Sequence, residues 1–499
     1  MKKELLINAT APETRVALLE DGRAVEVFHE RQGRRALVGN VYLGRVHRVL
    51  PGMQAAFVSL AREAGERDAF LYVEDAVPHP VDLDSGENGD EAERLLRAEA
   101  QRPRIDDLVK EGQEIIVQVT KDALAGKGPR VTTNISLPGR LLVFLPRVPQ
   151  TGISRRITDD AERERLRQIL ESFGGADGYI ARTAAQGSSP EDFASDRRYL
   201  SELAGHIFRK AESGGAPALL HRELELSLRV VRDLVTADST AIRVDEEGAH
   251  ARVGEFLSAV APALLSRLEL YGRSEPIFEF FGVEQEIERA LQSRVVLPSG
   301  GSIVIHQTEA LVAIDVNTGK FVGKEGLEET VFMTNREAIP EVARQIRLRD
   351  LGGLLVVDFI DMEGAEHRRE IFDRFAAELA RDRARTRILQ ISDFGLIEVT
   401  RQRSRGNLEK ILTRPCPECA GSGRVKTDLT VALDLRRALL KTPALYTPGE
   451  TIRLRVRPSL AQLLAQEEPS LLAEVEERLG VSIQLVPDEA LPATEYAIE

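Results

Sequence analysis

Hydrophobic and polar positions alternate through the first forty residues. The stretches ELLINA and RVALLE read as strands, and Asp21-Gly22 signals a hairpin turn into RAVEVFHE. From 39 to 75, short alternating runs are punctuated by Gly and Pro, which suits a small barrel better than a helical unit. The alternation resumes at EGQEIIVQVTK (111–121), and KGPRVTTNISLPGRLLVFLPRVPQ (127–150) predicts two more strands. Helical spacing takes over at 159–173 and 190–213, and residues 216–280 mix both periods. A helix at 284–292 leads into strands at SRVVLPSG, GSIVIHQT and ALVAIDVNTG. Residues 327–349 read as a helix with Pro340 as a kink, and GGLLVVDFIDM as a buried strand. A helix at 366–383 and a strand at TRILQISD follow. The pattern is α/β, and 499 residues suggest about three to five domains.

Charge complicates this picture. The net charge of −13 argues against a nucleic-acid binder, but it is unevenly spread. Residues 76–104 are Pro-, Glu- and Asp-rich and predict a flexible acidic loop. Residues 401–426 form a basic strip: Arg401, Arg403, Arg405, Lys410, Arg414, Arg424 and Lys426 against Glu409 and Glu418. Screening over about 8–10 Å lets such a strip hold phosphates on an acidic protein. No apolar run reaches 18 residues, so no membrane span is expected. The N-terminus does not read as a secretory signal, and two cysteines exclude a disulfide scaffold. A reducing, cytoplasmic location is expected.

The chemistry concentrates in a few places. Asp315 with Asn317 ends one apolar run, and Asp358 with Asp361 ends another. Carboxylates at strand ends are held rigidly at a sheet rim, and two of them with waters suit Mg²⁺. Such acids also cap helices or pair with arginines, and spacing leaves both readings open. Cys416-Pro-Glu-Cys419, followed by Gly421 and Gly423, is a knuckle that presents two thiolates. The chain has no other cysteine, so a Zn²⁺ site would need two thiolates from each of two chains. A redox pair is the rival. Phe57 and Phe70 lie in the barrel segment near Arg45, Arg48, Lys121 and Lys127. Stacking aromatics beside cations bind single strands, although Phe is more often core. Arg182-Thr183, in GYIARTAAQG, offers a forked donor beside a hydroxyl for a phosphate, or simply a solvated loop.

These motifs, in this order, resemble the bacterial ribonuclease E/G family. The resemblance runs through MKKELLINAT, ISRRI, YIARTAA, LPSGGSIVI, AIDVNTG, RLRDLGGLLVVDFIDM, ISDFGLIEVTRQR and CPECAGSG, over roughly residues 1–425. In length the chain is similar to the shorter, G-type branch. The resemblance implies an α/β multidomain fold. An RNase H-like domain (1–38 and 216–280) would be interrupted by an OB-fold RNA-binding domain (39–126, with the acidic loop 76–104) and a 5′ sensor (127–215). A DNase I-like catalytic domain (281–400), a zinc link (401–425) and a small C-terminal dimerisation domain (426–499) would follow. The implied activity is Mg²⁺-dependent endonucleolytic cleavage of single-stranded A/U-rich RNA, preferring 5′-monophosphorylated substrates, in rRNA and tRNA processing and mRNA decay. Products would carry 5′-phosphate and 3′-hydroxyl ends. Asp315 and Asp358 would hold Mg²⁺, with Asn317 supporting the attacking water or the scissile phosphate. Phe57, Phe70 and Lys127 would contact RNA. Gly139, Val143, Arg182, Thr183 and Arg385 would form the 5′-monophosphate pocket. Zn²⁺ on Cys416 and Cys419 would be shared between two chains of a homodimer or homotetramer. The alternative is a non-catalytic RNA-binding scaffold assembled through zinc, which would have no use for paired acids.

Overall fold

The computed structural model describes residues 2–10, 12–31, 36–65, 67–77, 103–123, 128–236, 238–319, 326–389, 392, 395–402, 407–441 and 445–499. The chain forms two compact units, Met1–Ile411 and Leu412–Glu499. Most of the acidic loop, and Lys127, lie outside the described residues.

Among the described residues, the first unit is built on four sheets. In the first, the order is Leu268–Leu270, Ser239–Val244, Lys3–Asn8, Glu13–Glu20, Arg23–Arg31. Its two hairpins come from the opening alternation, and Asp21 (φ 48°) with Gly22 (φ 81°) makes the expected tight turn. Ser239–Val244 joins Lys3–Asn8 in parallel, so the chain between Arg31 and Ser239 is a long excursion from one sheet. Helices Leu226–Leu234 and Glu247–Val260 cover one face through Leu5, Ile7, Val16 and Val231. Leu6, Ala17, Leu19 and Ala24 on the other face are also buried.

The excursion contains two further sheets. One closes on itself as a small barrel: Val41–Leu50, Ala55–Ser59, Ala69–Tyr72, Arg130–Thr132 and Glu114–Lys121, which returns to pair with Val41–Arg45. The other orders Thr151–Ile153, Gly178–Ala181, Leu142–Leu145 and Leu137–Pro138. Helices Asp160–Glu171 and Pro190–Ser213 bury its apolar side. The second helix starts where the sequence says it should, with Pro190 in its first turn and a reciprocal Ser189–Asp192 capping box.

The fourth sheet runs Arg294–Val296, Ser302–Gln307, Leu311–Asn317, Gly353–Asp358, Leu396–Arg401, Thr386–Ile388. The strand expected to be buried, Gly353–Asp358, is buried on one face only: Leu355 and Val357 point inward while Leu354 and Asp358 are exposed. Leu396–Arg401 was not anticipated as a strand, yet it pairs along all of Gly353–Asp358. Of the stretch TRILQISD, expected as a strand, Thr386–Ile388 forms one among the described residues, and the helix before it ends at Leu379.

Helix Leu327–Leu348 lies beneath this sheet and continues through Pro340. Its apolar side, including Val331, Ile339, Val342 and Ile346, joins the sheet's core. Its C-terminal half carries buried charge toward the first sheet. Arg347 donates to Glu20 at 2.9 and 3.0 Å and to Glu26 at 3.4 Å. Arg344 bonds Glu341 at 2.5 Å, Glu286 at 2.8 Å and the Ala24 carbonyl at 2.9 Å. Burial pulls the Arg347 guanidinium down, but the two glutamates outweigh it and hold it above the usual arginine range.

In the second unit, Asp428–Lys441, Pro458–Gln462 and Ser470–Leu479 pack on a sheet ordered Ser482–Pro487, Thr451–Val456, Ala497–Ile498.

Removing one partner of a buried ion cluster leaves the others uncompensated. Arg347→Leu is therefore expected to cost about 3–5 kcal/mol, read as a lower midpoint of chemical denaturation; an unchanged midpoint would mean the cluster is dispensable.

Candidate functional site

Two neighbouring parallel strands place the acids. Asp315 and Asp358 are direct cross-strand partners in the fourth sheet, the last pair of that ladder. Side chains two apart share a face, so Asn317 stands beside Asp315, and its amide donates to Asp315 Oδ2 at 2.7 Å. All three are exposed on the face away from helix Leu327–Leu348. Gly319 fixes the strand end. Its φ is 60°, and a Cβ there would stand 2.5 Å from the Gly300 carbonyl. Asp361 belongs to the same rim: a Cβ on Gly395 would stand 3.0 Å from its Oδ1.

Among the described residues, no lysine or arginine pairs with Asp315, Asp358 or Asp361. The reading that these acids serve nearby arginines does not hold for those residues. Partial burial, then the charge of Asp315, then that of Asp361, pushes the Asp358 carboxyl above its ordinary value. Among the described residues no group of three His, Cys, Asp or Glu stands at metal-binding spacing. Two carboxylates with waters are nevertheless a sufficient set for Mg²⁺, which keeps much of its hydration, and surplus negative charge at this rim fits a hard cation.

Sequence reasoning missed the groups that hold the segment after Asp358. Asn335, fully buried, donates to the Ile360 carbonyl at 2.8 Å and accepts from its N–H at 3.0 Å. Glu328 accepts from Glu363 N at 3.1 Å and Gly364 N at 3.2 Å. A buried amide within a helical, largely apolar stretch was the available signal.

Across the barrel, one cross-strand row reads Arg48, Phe57, Phe70, Arg130, Lys121. The two rings meet edge to face, 6.0 Å apart. Both are half-buried and outside the barrel core, which is formed by Ala56, Val58, Ala69 and Leu71. Arg130, unremarked in the sequence, is in the row and bonded to Asp75 at 2.8 Å. Arg45 lies off it, paired with Glu114 at 2.9 Å.

Arg182 is not a solvated loop residue. Its Nη1 donates to the Gly139 carbonyl and its Nη2 to Asp233 at 2.7 Å. Thr183 is exposed, with its hydroxyl 3.1 Å from that of Ser154. Val143 is buried against Ile180, Leu145 and Val148. Arg385 is half-buried; nearby, Arg383 Nη1 donates to the Asp233 carbonyl at 3.4 Å and Arg156 donates to the Asp382 carbonyl at 3.3 Å. Part of the basic strip is likewise consumed internally: Arg401 is buried in pairs with Asp382 at 2.6 Å and Asp350 at 2.7 Å.

In the second unit, Cys416 is exposed and Cys419 half-buried. Ala420, Gly421 and Gly423 all have positive φ, a knuckle in which the Gly423 and Gly421 N–H groups reach the Cys419 sulfur and pull its thiol below the ordinary value. The pair does not open a helix after a strand, as a redox pair would.

Residues 136–404 match the ribonuclease E/G family, and residues 415–499 match an RNase E/G thioredoxin-like domain. The chain is similar to ribonuclease G of Salmonella typhimurium (strain SL1344), 41% identical over 98% of each chain. Ribonuclease G of Escherichia coli (strain K12) gives the same identity and coverage. Ribonuclease E of Escherichia coli (strain K12) is 37% identical over 99% of this chain and 46% of its own length.

Gly139 has a packing role of its own. A Cβ there would fall 2.6 and 2.7 Å from the carboxylate of Asp196, which accepts from the N–H groups of Arg140, Leu141 and Leu142. Gly139→Ala should therefore destabilise the fold by about 1–3 kcal/mol, seen as a lower melting temperature; a variant that melts like the wild type would show that this turn yields.

Proposed function

The chain belongs to the ribonuclease E/G family and is an endoribonuclease, and we propose that it cuts single-stranded, A/U-rich RNA by Mg²⁺-assisted hydrolysis, preferring a 5′ monophosphate. The observation that carries the reading is the rim of Asp315, Asp358 and Asp361, where no described cation offsets three acids. Asp315 and Asp358 would hold Mg²⁺ from adjacent strands. When bound, the ion would polarise a phosphoryl oxygen and lower the pKa of its water. Asn317 keeps one amide hydrogen on Asp315 and orients the attacking water or the scissile phosphate with the other. Hydrolysis in this sense leaves 5′-phosphate and 3′-hydroxyl ends.

The barrel row supports the substrate assignment. Phe57 and Phe70 would stack bases, and Arg48, Arg130 and Lys121 flank them for the backbone. Lys127 belongs to this proposal by resemblance alone. Arg182 and Thr183, with Gly139, Val143 and Arg385 around them, would receive the 5′ phosphate. Three antiparallel strands continued by two parallel ones support an RNase H-like reading of the first sheet, and the closed barrel an OB-fold reading. By the same reading the fourth sheet is a DNase I-like catalytic domain. Processing of rRNA and tRNA and decay of mRNA, in the cytoplasm, are the roles proposed.

Cys416 and Cys419 would supply half of a tetrahedral Zn²⁺ site completed by a second chain. Metal analysis should find half a zinc per chain, and Cys416→Ser should lose it and lower the oligomer mass. One zinc per chain would contradict the sharing.

The central test uses 5′-monophosphorylated and 5′-hydroxyl A/U-rich oligonucleotides with and without Mg²⁺. Asp358→Asn is expected to lower cleavage by more than about a hundredfold, while RNA affinity, which rests on phosphate contacts and stacking, changes little. Cleavage by Asp358→Asn at the wild-type rate would remove the acids from the mechanism.

A further inference from the structure

Arg182 is already engaged before any RNA arrives. Asp233, near the end of helix Leu226–Leu234, bonds Arg182 Nη2 at 2.7 Å and also takes Arg232 Nε at 3.0 Å and Nη2 at 3.2 Å. Arg232 Nη1 in turn donates to Glu223 at 2.7 Å. The four charges alternate in sign and cancel. Only 24% of the Arg182 side chain and 26% of the Asp233 side chain are exposed, so the pair is screened less than a surface bridge would be. Burial pushes the Asp233 carboxyl up, but the Arg182 and Arg232 guanidiniums outweigh it and keep it ionised far below the usual carboxylate range.

A guanidinium in this state discriminates among anions by charge. An internal phosphodiester carries one negative charge, the same as the carboxylate already in place, and gains little by competing for the guanidinium. A terminal phosphomonoester carries roughly −1.5 to −2 at neutral pH and three acceptor oxygens. It can draw on the remaining N–H groups of Arg182 while Asp233 and the Gly139 carbonyl fix the plane of the fork. Arg383, which donates to the Asp233 carbonyl at 3.4 Å and to Glu26 at 2.9 Å, braces this turn against the first sheet.

We propose that Asp233 is the specificity-determining partner of Arg182: it orients the guanidinium and sets a charge threshold that a terminal phosphate dianion passes and a singly charged phosphodiester does not. This rests on the proposed preference for a 5′ monophosphate. Asp233 acts through Arg182 and is a positioning residue.

The test compares kcat/KM on one oligonucleotide bearing three 5′ ends: hydroxyl, monophosphate, and monophosphate esterified with methyl, which carries a single charge. Ratios between ends in one preparation are insensitive to any loss of folded protein. In the wild type the monophosphate should lead by roughly tenfold, about one charge-assisted hydrogen bond, and the methyl phosphate should behave as the hydroxyl. In Asp233→Asn the ratio of monophosphate to methyl phosphate should fall to near one, and Asp233→Glu, which keeps the charge, should retain it. A wild type that uses methyl phosphate as well as monophosphate, or an Asn variant with the wild-type ratio, overturns the proposal alone. A wild type indifferent to all three ends overturns the 5′-phosphate reading and this proposal with it.

Discussion

Helix Leu327–Leu348 is packed on two sides, and the geometry of the acidic rim depends on it. Its apolar stripe fills the underside of the fourth sheet, which keeps Leu311–Asn317 and Gly353–Asp358 in register. Its other side could not be apolar, because the first sheet offers Glu20 and Glu26 there. Arg347 answers those acids, and Arg344, paired with Glu286 and Glu341, donates to the Ala24 carbonyl; together they tie the two sheets into one unit. Buried ion pairs contribute modest net stability because desolvation offsets attraction, but they punish any other arrangement strongly. At its N-terminal half, Asn335 and Glu328 anchor the backbone just past Asp358. One element thus sets the spacing of the carboxylates and the path of the chain beside them.

The distribution of charge follows from this. The protein has far more acids than bases, yet most buried acids are answered: Asp382 by Arg401, Glu341 by Arg344, Asp233 by Arg182 and Arg232. Against that background the rim of Asp315, Asp358 and Asp361 stands out, because among the described residues no lysine or arginine pairs with it. The barrel row places cations on both flanks of two rings, where a polyanion with flat bases would lie. An acidic protein can bind RNA on this design because its positive charge is local.

The elements with a clear period were legible in the sequence. Period-two alternation gave the opening hairpins and the barrel, and helical spacing over 190–213 gave the long helix Pro190–Ser213. What was lost depended on partners far along the chain. Leu396–Arg401 ends in an arginine that looks solvent-facing until Asp350 and Asp382, distant in sequence, neutralise it. Gly353–Asp358 looked buried on both faces because Leu354 and Val356 are apolar, yet only Leu355 and Val357 are covered. Asp315 and Asp358 were singled out in the sequence, but their facing register was not, since it needs a parallel crossover. Arg130 and Asp233 carried no local signal, since each matters through its place opposite Phe70 or Arg182.

Two strands in one register would create a single divalent-cation site at Asp315 and Asp358. Binding of Mn²⁺, a paramagnetic substitute for Mg²⁺, can be followed by electron paramagnetic resonance without any RNA. The account predicts one site per chain, lost in Asp315→Asn and in Asp358→Asn but still present in Asp361→Asn, which removes a neighbouring charge and not a ligand. Equal Mn²⁺ binding by the wild type and Asp358→Asn would contradict it.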